Sequence, residues 1–197
     1  MLHRSSLLLS LVLALPILAH GETPKLNIKL AHNSACEQRT LLQVNEFAKR
    51  YDLKKFTLTR DIVIEQGAMA HSKPVLTMNC RFLDDDDRAL SQYVHEQGHW
   101  VLGRRQGELQ PLFLSLTQAF PNIPTEFPAG GYGVRDSYFH LAVLMLEWQG
   151  MEELVGDKRA LAVMKWKQGD HYTELYKTVI ANRPQMEKIL RDNDIHW

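Results

Sequence analysis

Ser91-Gln92-Tyr93-Val94-His95-Glu96-Gln97-Gly98-His99-Trp100-Val101-Leu102 is the stretch on which the reading of this 197-residue chain turns. Histidines four apart lie one above the other on a helix, so both imidazoles reach one metal ion, and the Glu between them is directed at the ion's open side. The flanks permit such a helix. Gln97, Gly98 and Trp100 are uncharged, Val101 and Leu102 are apolar, and no Pro falls between Leu83 and Leu109. His95 and His99 are therefore candidate zinc ligands, and Glu96 is a candidate general base.

The start of the chain has a composition of its own. Arg4 precedes the apolar run Leu7 to Leu15, and Pro16 and small residues follow, as in a secretory signal peptide over 1–20 with cleavage after Ala19 or Gly21. The run is shorter than the ~20 residues a membrane-spanning helix needs, so no stable membrane insertion is expected after cleavage. The expected location is exported, periplasmic or secreted. Cys36 and Cys80 then meet an oxidising compartment, and an intrachain disulfide between them would tie the first helix to the strand before the motif helix; two buried thiols are the alternative. Residues 21–197 have the length of one domain with a real core. With 23 acidic and 23 basic residues the chain has no polyanion-binding surplus, which argues against a nucleic-acid partner.

The period of the apolar residues changes once along the chain. Lys25 to Leu30 alternates as a strand, and Ala35 to Tyr51 has helical spacing. Phe56 to Thr59 leads into a strand at Asp61–Glu65, and Pro74–Cys80 reads as its neighbour. From Asp86 onward the pattern is helical: the motif helix to about Arg104, then Leu109–Phe120, Asp136–Gln149, Lys158–Trp166, Tyr172–Asn182 and Pro184–Asp192. The fold class is accordingly α+β: a small N-terminal mixed β-sheet with a backing helix, an active-site helix, and a mainly helical C-terminal half. The acidic run Asp84 to Asp87 precedes a helix, where carboxylates cap free N–H groups. The irregular stretch Pro121 to Gly133 is long enough to suggest a functional loop forming a cleft wall.

A catalytic zinc site needs a third protein ligand and an open position. The longer motif that supplies it from the same helix would require Gly and His where Leu102 and Arg105 stand. A second segment, Asp136-Ser137-Tyr138-Phe139-His140-Leu141-Ala142-Val143-Leu144-Met145-Leu146-Glu147-Trp148, embeds a Glu in an apolar run. Together with Val94 to Val101 it resembles the gluzincin branch of the zincin clan of zinc metallopeptidases, to which thermolysin-like enzymes belong. That resemblance implies a zincin-like fold, one zinc ion and Glu147 as third ligand. His140 is the rival; at seven residues' separation the two stand ~10 Å apart on one face, so only one is expected to bind the ion. If Glu147 does, His140 or Tyr138 is left to stabilise the oxyanion. The sequence departs from the thermolysin-like pattern at Met151, where an orienting Asp is expected, leaving Asp136, Glu152 and strand carbonyls as candidates to hold the ligand imidazoles.

The function this implies is an exported zinc-dependent peptidase acting on a peptide or protein substrate, with Glu96 taking a proton from a zinc-activated water. The alternative is a non-catalytic exported zinc-binding or interaction protein on the same scaffold. Substrate is expected along a sheet edge, at Pro74–Cys80 or Ile62–Glu65, and beside Gly130 to Gly133, whose glycines permit close approach. Trp100 and Trp148, each next to a proposed ligand, are expected to pack in the core and to dry the site. His32, His71 and His171 read as surface or capping residues.

Overall fold

The computed structural model describes residues 25–197, so the proposed signal peptide lies outside the described residues. Three strands, β1 (Asn27–Leu30), β2 (Asp61–Ile64) and β3 (Leu76–Met78), form a sheet in the order β1-β2-β3. Helix α1 (Ala35–Arg50) links the first two. The rest is helical: α2 (Asp86–Gly103), α3 (Gln110–Ala119), α4 (Val134–Val155), α5 (Asp157–Lys167), α6 (Thr173–Ala181) and α7 (Arg183–Asp192). The protein is therefore α+β and mostly helical. No helix among the described residues is long and apolar enough to cross a membrane.

The sheet is parallel rather than mixed: Ile28 pairs with Ile62, and Ile62 with Leu76. The single antiparallel feature among the described residues is a bridge in which His71 and Thr77 exchange backbone hydrogen bonds on the outer side of β3. Two expectations about substrate edges change with it. β2 is central, so Ile62–Glu65 offers no edge, and the outer edge of β3 is already engaged by its own chain at Thr77. Phe56–Thr59 also stays out of the sheet. Gln97 of α2, fully buried, accepts from Leu58 N (2.8 Å) and Thr59 N (3.0 Å) and donates to Thr59 O (2.8 Å), so a side chain satisfies the backbone a strand partner would have served.

Local chemistry starts the helices where the sequence suggests. Ser34 and Glu37 form a reciprocal capping box on α1. The same buried Glu37 carboxylate accepts from His32 N and Gln66 N, both at 2.9 Å, tying two turns of the sheet together. Burial alone would raise its pKa, but these N–H donors outweigh burial and hold it at about 2. Asp85 caps α2 through Arg88 N at 3.0 Å, and Asp86 reaches back to Gln43 (2.9 Å) and Arg50 (2.7 Å) on α1. The acidic run thus works as a cap and a clamp.

Helices α2 and α4 cross at the centre of the core, and both are buried on nearly every face around the crossing. α4 runs past the expected end at Gln149, through Gly150 to Val155. Gly150 is a contact residue rather than a stop: a Cβ there would lie 2.7 Å from Val94 Cγ1, so only glycine lets the helices come this close. Cys36 and Cys80 are disulfide-bonded, with Cα atoms 5.8 Å apart, joining the start of α1 to the segment after β3. The bond closes a loop of 44 residues, for which chain entropy predicts about 4 kcal/mol. A Cys36→Ser, Cys80→Ser double variant should lose stability of that order in chemical denaturation, with little change in the α2–α4 core.

Candidate metal centre

His95, Glu96 and His99 project from successive turns of α2, and His140 from α4 where the helices cross. His95 Nε2 and His99 Nε2 are 3.2 Å apart, and one nitrogen from each of His95, His99 and His140 falls within 4.8 Å of the others. Ligand nitrogens around a tetrahedral zinc stand about 3.3 Å apart, so a small closure of the three rings meets that geometry. These three histidines form a group that could hold a metal ion.

The other ring nitrogens of His95 and His140 are engaged. His95 Nδ1 lies 2.9 Å from Glu147 Oε2, and His140 Nδ1 lies 2.9 Å from the Asp136 carbonyl and 3.2 Å from Asp136 Oδ1. Each contact directs Nε2 at the shared point, the arrangement in which a carboxylate or carbonyl orients a ligand imidazole. Burial lowers the pKa of His95 to about 4 and that of His99 well below its ordinary value, despite the nearby Glu147 charge. Both rings are neutral near pH 7, the protonation state a metal requires.

Glu147 stands behind His95 rather than beside it in the ligand group. It is fully buried, and four donors surround its carboxylate: Ser91 Oγ and Lys167 Nζ on Oε1, Tyr176 OH (2.8 Å) and His95 Nδ1 on Oε2. Burial alone would raise its pKa; the Lys167 charge and the His95 contact reverse that and keep it ionised. With its lone pairs already directed at four donors, the carboxylate is committed to positioning. Tyr138 is likewise absent from the histidine group, and its hydroxyl donates to Phe120 O at 2.8 Å inside the core. His140 is in the cluster itself, so neither residue named for the oxyanion stands free for that role.

Glu96 differs from every other acid in the protein's interior. Its side chain is buried, and among the described residues its Oε2 has no hydrogen-bond partner. Burial raises its pKa to about 8, with Lys167 opposing and Glu147 adding to the rise. An unpartnered buried carboxylate is costly to keep for structural reasons alone.

These groups line a cavity of about 380 Å³ together with Phe127, Tyr172 and residues flanking β3. Tyr172 holds a left-handed backbone (φ 53°, ψ 35°), uncommon outside glycine, and its ring stacks on His140 with centroids 4.0 Å apart. The loop from Pro121 to Gly133 does form a wall, through Phe127. It is fastened by Thr173 N to Pro128 O (2.9 Å) and Glu174 N to Ala129 O (3.1 Å). Gly131 has a task other than substrate approach. A Cβ there would sit 2.4 Å from Asp136 Oδ2 and 2.9 Å from Ser137 N, so it makes room for the residue that holds His140. Gly131→Ala should cost about 1–3 kcal/mol by overpacking and weaken metal binding about tenfold through Asp136, read by thermal unfolding and metal titration.

Several site residues escaped the sequence reading. Lys167 carried a signal: with Ala160, Val163 and Met164 it completes an i, i+3, i+4, i+7 stripe that is buried throughout, a charge at a core position. His171, read as a surface or capping group, is part-buried in the cavity wall, while His71 is exposed, as expected, and also lines the cavity. Trp100 and Trp148 do not; Trp100 donates to Ser72 O at 3.1 Å, and Trp148 lies under the Arg183 guanidinium, 4.6 Å from the ring centroid. The chain matches no protein-family model, no curated protein and no solved structure.

Proposed function

We propose that the protein is an exported zinc-dependent peptidase in which His95, His99 and His140 hold the ion and Glu96 is the general base. The observation that carries this reading is the buried Glu96 carboxylate, which lines the cavity one residue from a ligand and whose Oε2 has no hydrogen-bond partner among the described residues. A structural zinc site closes with four protein ligands and has no use for such a group; three ligands beside a spare base suit catalysis. A zinc ion, when bound, supplies Lewis acidity that polarises a carbonyl and acidifies water.

This chain's residues supply the rest. Glu147 and Asp136 fix the ring orientations of His95 and His140. Glu96 is placed to take the proton from the attacking water and to return it to the leaving amide nitrogen; burial pulls its proton affinity toward neutral pH, where one group can both accept and donate. The resemblance of the motif segment to the gluzincin branch supports the peptidase class, with His140 taking the ligand role that the resemblance gave to Glu147. The signal-like segment over 1–20 and the Cys36–Cys80 bond support export.

The purified protein is expected to carry close to one zinc per chain and to cleave members of a mixed peptide library, with both properties lost on chelation and regained with zinc. A preparation that binds zinc stoichiometrically and cleaves nothing in the library sinks the peptidase reading; one that binds no metal sinks the centre itself.

A further inference from the structure

We infer that Lys167 makes this cavity a receptor for a substrate carboxylate, foremost the free C-terminal carboxylate of a peptide, so that the enzyme works at chain ends. The inference rests on the peptidase reading for its chemistry, but the binding it describes can be measured separately.

Lys167 ends α5 with its side chain only 3% exposed, and it lines the cavity that holds Glu96. An ammonium carries three donors. Among the described residues Nζ has one hydrogen-bond partner, Glu147 Oε1 at 2.5 Å, and lies 5.8 Å from the Tyr176 ring centroid, which leaves two N–H groups without an acceptor on a residue that lines the cavity. Buried charged donors without acceptors are expensive, and an anion entering from the cavity relieves the cost.

The surrounding charges leave the ammonium available. Glu147 shares its charge among Ser91, His95 and Tyr176 as well as Lys167. The nearby acid that would repel an incoming carboxylate, Asp170, is itself held by both Nη atoms of Arg81 and by His171 Nδ1 at 2.6 Å. Gln92 and Asn79, also on the cavity wall, are bonded to each other at 3.2 Å. Distance fits a terminal residue. Lys167 and His95 contact opposite oxygens of one carboxylate, so the ammonium lies within the span of about two extended residues, ~7 Å, of a ligand ring. Lys167 and Glu96 line the same cavity, so a terminal carboxylate on Lys167 keeps the last peptide bond in the space that Glu96 borders.

The test is calorimetry on zinc-loaded Glu96→Gln protein, in which turnover is blocked. The probes are acetyl-Ala-Ala-Ala with a free carboxylate, the same peptide as its amide, and an amide carrying Glu at the last position. The free acid should bind at least tenfold more tightly than the alanine amide, and in zinc-loaded Lys167→Met protein the ratio of the two affinities should fall to near one. A gain confined to the Glu-bearing amide, and abolished by Lys167→Met, assigns the same ammonium to acidic side chains and overturns the chain-end assignment. Equal binding of acid and amide, or a preference that survives Lys167→Met, overturns the inference by leaving the zinc alone responsible. If Lys167→Met does not fold, Lys167→Arg keeps the Glu147 pair and moves the donors, so the acid-to-amide ratio must change at least threefold; an unchanged ratio is equally fatal. Failure of the peptidase reading looks different: zinc-loaded wild type releases no alanine although the acid preference stands.

Discussion

Glu96→Gln protein should retain one zinc per chain and lose peptide hydrolysis by about 10³-fold or more, at the upper end of what a positioned general base contributes. The substitution is close to isosteric, and Oε2 has no protein partner among the described residues, so no hydrogen bond seen in the structure is broken at that oxygen. Replacing a buried carboxyl group whose ionisation burial opposes should also leave stability unchanged or slightly raised. The expected signature is thus unusual: full metal content, an equal or higher melting temperature, and no turnover. Loss of zinc in this variant would show that Glu96 is a ligand, and undiminished turnover would remove it from the mechanism.

The second large effect separates His140 from Glu147. His140→Ala should weaken zinc binding well beyond the ~10–100-fold typical of residues that only orient a ligand, because the centre drops from three protein ligands to two. Glu147→Gln should fall within that 10–100-fold range for metal. Its main penalty is on folding, by ~3–5 kcal/mol, since it leaves the buried Lys167 ammonium without its anion. Metal titration and chemical denaturation on both variants therefore give opposite rankings: His140→Ala loses more metal, Glu147→Gln more stability. The reverse ranking would return the third ligand to Glu147.

The physical reason these two residues were hard to place lies in the crossing of α2 and α4. Along α4 alone, His140 and Glu147 share one face two turns apart, and a carboxylate in an apolar run is the more conspicuous of the two. Their roles depend on where His95 meets that face. It falls between them, with its ring stacked on His140 and its Nδ1 bonded to Glu147. A similar limit applied to Tyr138, whose hydroxyl finds Phe120 O only once α3 packs on α4. Gly131, legible in sequence as a flexible point, is needed for the volume of Asp136 five residues later.

What depends on neighbours along the chain was open to reading from one dimension: the helix carrying His95, Glu96 and His99, its acidic cap, the succession of helices after Asp86 and the two cysteines able to meet. Capping, periodicity and i, i+4 geometry act over a few residues and need no partner element. Only the packed structure decided which strand was central, what Gln97 does for Leu58 and Thr59, that His140 joins the two motif histidines, and that Glu147, Lys167, Ser91 and Tyr176 form the buried support behind them. Those outcomes depend on side chains from separate helices converging in a low-dielectric interior, where each buried charge must find its donors across tens of residues of chain.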